Sequence, residues 1–107
     1  MTMKQVLAAL AALLVLPSAA AAAGSTPPVP DSWKSAINAA HPLVGRLIRV
    51  RDGARVSPET LAGAASEATY VLLGETHDNP DHHALQAWIV RAMAARGRRP
   101  AVAFEML

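Results

Sequence analysis

The sequence predicts an α/β fold, a partly parallel sheet with flanking helices, belonging to an incomplete, truncated domain. Three observations predict it. Tyr70 to Leu73 and residues 101–106 are short apolar runs rich in branched and aromatic residues, as strands buried on both faces of a parallel sheet are. Between them, from Pro80 to Arg96, apolar residues recur at helical spacing: Leu85, Trp88, Ile89, Ala92 and Met93. Strand, helix and strand in that order form a crossover unit, expected to be right-handed and to pack the helical stripe on the sheet. The chain of 107 residues stops inside the second run. A central strand with nothing to cover it is a poor end for a complete domain, so the expectation is the N-terminal part of a longer one.

Residues 1–23 read as a secretory signal peptide. Lys4 precedes an apolar core from Val6 to Leu16, followed by Pro17, Ser18 and a run of alanines suited to cleavage before Gly24. The core of eleven residues is too short for a bilayer span, which needs about 20. Loss of Lys4 leaves nine basic and eight acidic residues, a balance that argues against a nucleic-acid surface. The chain has no cysteine, which excludes disulfides, thiolate metal sites, a cysteine nucleophile and a lipid-modified cysteine. The expected location is periplasmic or secreted, with no stable membrane span after cleavage.

Residues 24–40 are expected to be a linker and a short helix. Gly24 to Pro30 is polar and proline-rich and predicts an extended, mobile segment. Asp31 is placed to cap a helix through Ala40, with Trp33, Ala36, Ile37 and Ala40 on one side and His41-Pro42 at its end. Residues 41–107 then form the domain portion. Gly45 to Arg51 alternates apolar and basic residues, and Asp52-Gly53 is a turn pair, so a hairpin returning through Ala54 to Val56 is predicted. Ser57-Pro58-Glu59 opens a helix to about Glu67, since serine caps free N–H groups and proline at the first position loses no needed donor. Asn79-Pro80 opens the second helix by the same logic, and Gly97 ends it.

Three of the four histidines lie within seven residues, His77, His82 and His83, beside Glu75 and just past Gly74. Loops outside the carboxyl ends of parallel strands are where α/β sheets bind ligands. Glu75 ends the first strand and Glu105 lies near the end of the second, so a parallel pairing brings the two carboxylates to one edge with His77 between them. That set is competent for Zn²⁺, Mn²⁺ or Fe, or to hold a water as general base. His82 and His83 fall in the first turn of the helix, where the macrodipole disfavours imidazolium and favours the neutral, metal-binding form. The helical wheel places His82 beside Leu85 and Ile89, toward a pocket, and turns His83 outward, toward a ligand or partner approaching from outside. Each has an ordinary alternative: Glu75 as acceptor of loop N–H groups, Glu105 as a solvated strand end, a helix-start histidine as a cap. Asp78 reads as a turn former, His41 as a surface residue, Tyr70 as packing, and Arg96, Arg98 and Arg99 as complements to a helix end.

The stretch Gly74-Glu75-Thr76-His77-Asp78-Asn79-Pro80, with His82-His83, Gln86 and Ala103-Phe104-Glu105-Met106, resembles the ChaN-like haem-binding uptake proteins of the Tiki, TraB and erythromycin-esterase group. His41-Pro42-Leu43-Val44-Gly45 is similar to the opening of that domain. The resemblance covers roughly residues 41–107. It implies an exported protein that binds haem, with its iron, in haem or iron uptake, with His77, His82 and His83 as haem-binding residues. Glu75, His77 and Glu105 are then the metal-binding set. Family members are often lipoproteins, a form the absence of cysteine excludes. Haem binding in the family involves a tyrosine, whereas Tyr70 falls in a strand. The first reading is binding without turnover, with a homodimer as one compatible assembly. The alternative is a metal-dependent hydrolase of an ester or peptide, using a divalent ion, with Glu75 or His77 activating water.

Overall fold

The structure, a computed structural model, describes residues 24–105. The expected signal segment and the end of the second apolar run lie outside them. In chain order the elements are β1 (Ile48–Arg49), β2 (Ala54–Arg55), α1 (Pro58–Glu67) and α2 (Pro80–Ala95). The fold is therefore mixed α/β, with two helices and one two-stranded sheet among the described residues. No described helix is long and apolar enough to cross a membrane.

The expected hairpin forms, with Ile48 opposite Arg55 and Arg49 opposite Ala54 in antiparallel register. Gly53 takes φ +68° at its turn, a conformation that strains any residue with a Cβ, and donates its N–H to Arg49 O at 2.9 Å. Arg49 and Asp52 close the loop side chain to side chain, Nε lying 2.9 Å from each carboxylate oxygen.

Both helices begin and end where local chemistry dictates. Ser57 Oγ accepts the Thr60 N–H at 3.2 Å, and Asn79 Oδ1 accepts the Asp81 N–H at 2.9 Å, each followed by proline. The end of α2 is a Schellman motif: Gly97, at φ +80°, donates to Ala94 O at 2.9 Å, and Arg98 donates to Met93 O at 3.1 Å.

The parallel sheet is a correction. The described sheet is antiparallel, and residues 70–74 and 101–105 run without strand pairing. Tyr70 is 85% exposed, Leu72 93% and Phe104 75%, so Tyr70 does not pack as expected. The physical reason is that parallel strands are stable with both faces covered, and here α2 is engaged elsewhere. Its stripe packs on α1: Trp88, Ile89, Ala92 and Met93 meet Ala62 and Ala65, with Val29, Leu61 and Val71 at the margin. Small alanines let the two helices approach, and Trp88, 1% exposed, fills the space between.

Two further expectations fail together. The helix from Asp31 to Ala40 does not form; residues 31–36 are irregular and a turn spans 37–40, with Asn38 at φ +56°. The preceding segment is a strap held along α2 instead of a mobile linker. Gly24 N donates to Ala95 O at 2.8 Å, Trp88 Nε1 to Pro27 O at 2.8 Å, and Arg96 to Thr26 Oγ1 at 2.9 Å. At the other end of α2 the Asp81 carboxylate accepts the N–H groups of Lys34, at 2.9 and 3.1 Å, and Ser35, at 2.8 Å. A contact across 46 to 47 residues thus captures backbone donors in a geometry that no local helix provides.

Candidate functional site

The loop from Gly74 to Asn79 joins the extended run to α2, and the α2 N-terminus fixes it from three directions. Thr76 N–H donates to His82 Nδ1 at 2.7 Å. Asn79 N–H donates to Thr76 O at 2.9 Å, and Gln86 reaches Leu73 O at 3.5 Å. These bonds follow from the turn that Asp78-Asn79-Pro80 imposes, which folds the loop back over the first helical turn.

On this support three side chains converge. Glu75 Oε1 lies 3.1 Å from His77 Nδ1, and Glu75 Oε2 lies 3.3 Å from His83 Nε2. His83 Nε2 also lies 2.9 Å from His77 O, and the two rings meet edge to face with centroids 5.7 Å apart at 67°. One ligand atom from each residue lies within 4.8 Å of the others, and all three residues are exposed. A carboxylate accepts, so His77 holds its proton on Nδ1 and leaves Nε2 free; a carbonyl accepts likewise, so His83 donates from Nε2. An imidazole whose N–H is held by a carboxylate is the arrangement in which histidine binds metals, its other nitrogen carrying the lone pair. Two imidazoles and a carboxylate fit iron, zinc or manganese.

Of the residues the sequence singles out, the structure brings Glu75, His77 and His83 together and leaves His82 and Glu105 outside the group. His83, on the exposed side of α2, turns toward the loop and joins the group. His82 is half-buried against Asn79, Asp81 and Leu85, and bonds the loop backbone. Glu105 is exposed at the end of the second run and is not part of the group, because the parallel pairing that would bring it to Glu75 is not formed.

Sequence reasoning missed Asp81, the one buried charged residue described. The backbone N–H groups of Lys34 and then Ser35 hold its carboxyl below the ordinary value of 3.8. Its place in the first turn of α2, after Asn79-Pro80, is legible, but its partner is not. Asn79 also lines two hollows shared with residues between Trp33 and Ala39, and Asp81 and His82 line the second of them.

In this mixed α/β chain a carboxylate and two imidazoles are gathered at one exposed loop as a donor set of the kind that can hold a metal ion. Residues 61–107 match the family model described as haem-binding uptake, Tiki superfamily, ChaN. Over those residues, less than half of its length, the chain is similar to that family, in the region whose motifs carry the resemblance. No curated protein and no solved structure matches the chain.

Proposed function

We propose that the protein is exported and binds haem in haem or iron uptake, at the loop that carries Glu75, His77 and His83. The observation that carries this reading is the convergence of two exposed imidazoles and a carboxylate within 4.8 Å, inside the segment matched to a haem-binding family. When bound, haem would supply an iron that neutral imidazole can ligate. His77 and His83 are the residues to hold it, and Glu75 orients both rings through their N–H groups. Export, to the periplasm or beyond the cell, is supported by the Lys4, Val6 to Leu16 and alanine pattern, and mass spectrometry of exported material is expected to find a chain beginning at or near Gly24.

The test is a haem titration followed at the Soret band. Replacing both His77 and His83 by alanine is expected to weaken the absorbance change strongly, and Glu75→Gln to weaken it less, since a glutamine still orients one ring. An unchanged titration in the double variant would overturn the assignment of these histidines.

A second reading is favoured by the same donor set. Two histidines and one carboxylate are also the ligands of catalytic divalent-metal sites, where a bound ion supplies Lewis-acid chemistry. Glu75 or His77 would then hold the proton of an attacking water. Under that reading Glu75→Gln is the damaging change, costing at least ~10²-fold in the rate of a metal-stimulated esterase or peptidase.

A further inference from the structure

We propose that His82 is a positioning residue: it holds the loop that presents Glu75 and His77, and does not itself ligate. The inference rests on the haem or metal reading of that loop for its functional part, and on geometry alone for its structural part. The bond from Thr76 N–H to His82 Nδ1, at 2.7 Å, is the shortest that the loop makes to α2. Thr76 lies between Glu75 and His77 in the chain, so this single bond sets the backbone from which both side chains project. It uses the Nδ1 lone pair of a neutral imidazole, leaving that nitrogen nothing to offer a metal. The other nitrogen, Nε2, faces Asn79 Nδ2 at 3.4 Å instead of the Glu75 group. His82 is half-buried, while Glu75, His77 and His83 are exposed. Adjacent histidines on α2 thus divide the work: His83 reaches the ligand-competent group and His82 grips the loop beneath it.

The chemistry of the grip defines the test. Asparagine places an amide oxygen at nearly the position of imidazole Nδ1 and can accept the same N–H; glutamine carries its oxygen one carbon further, and alanine offers no acceptor. In the full chain, amide hydrogen exchange at Thr76 is expected to speed up in His82→Ala and His82→Gln and to stay near the wild-type rate in His82→Asn, with amides around Trp88 as the control for folding. Haem affinity is expected to follow the same order, falling roughly 10-fold in the alanine and glutamine variants and recovering in His82→Asn. Unaltered Thr76 exchange in His82→Ala would overturn the proposal. So would loss of haem affinity in His82→Asn with Thr76 still protected, because that pattern marks His82 as a ligand. Absence of haem binding by the wild type would defeat the haem reading alone, and the Thr76 exchange rates would still decide the role of His82.

Discussion

Asp81 shows how one side chain redirects a segment far away in sequence. Its carboxylate accepts the backbone N–H groups of Lys34 and Ser35, and this lowers its proton affinity. A carboxyl depressed on folding contributes stability that is fully present above its unfolded value and is lost as the pH falls through the folded one. The difference in melting temperature between wild type and Asp81→Asn is therefore expected to be largest near neutrality and to shrink below about pH 4. Thermal unfolding followed between pH 7 and pH 3 checks this, and a difference independent of pH would refute it. At this scale the sequence was informative about chemistry and blind to direction. The Glu75, His77 and His83 types and spacing were legible. That the loop folds back over the helix, so that His83 meets Glu75 and His77 while His82 bonds the loop backbone, was not.

Among the elements, what was legible is what local chemistry controls. The caps at Ser57 and Asn79, the prolines after them, the stop at Gly97 and the Asp52-Gly53 turn all lie within a few residues of the boundary they set. What was not legible is what each element packs against. The stripe on α2 was read correctly as core, but its partner is α1 and not a sheet. Residues 31–40 carry a helical pattern that loses to hydrogen bonds with Asp81. Two substitutions probe these two kinds of information. Gly97→Ala places a Cβ at φ +80° and is expected to destabilise the chain by about 1 kcal/mol. Trp88→Ala removes the largest buried side chain and is expected to cost about 3 to 5 kcal/mol. Chemical denaturation measures both, and comparable losses would show that the α1 and α2 contact is not the core.

For the molecule as a whole, the apolar runs at 70–73 and 102–104 expose Tyr70, Leu72, Val102 and Phe104 without strand partners. Extended apolar backbone with free donors and acceptors invites intermolecular pairing. Residues 24–107 in isolation are expected to self-associate with concentration, and Leu72→Lys together with Phe104→Lys to suppress this in light scattering; monodisperse wild type at high concentration would contradict it. The strap carries a different consequence. Gly24 N–H meets the carbonyl oxygen of Ala95, in the last turn of α2, at 2.8 Å, and a Cβ at position 24 would come within 2.7 Å of that oxygen. If export removes residues 1–23, the nitrogen in that bond ceases to be a peptide amide and becomes an α-ammonium group. A cation then sits at the negative end of the helix dipole, an arrangement worth roughly 0.3 to 1 kcal/mol. Proteolytic maturation would thus install a charged cap on the longest described helix, and a chain starting at Gly24 should melt above one whose Gly24 nitrogen is acetylated.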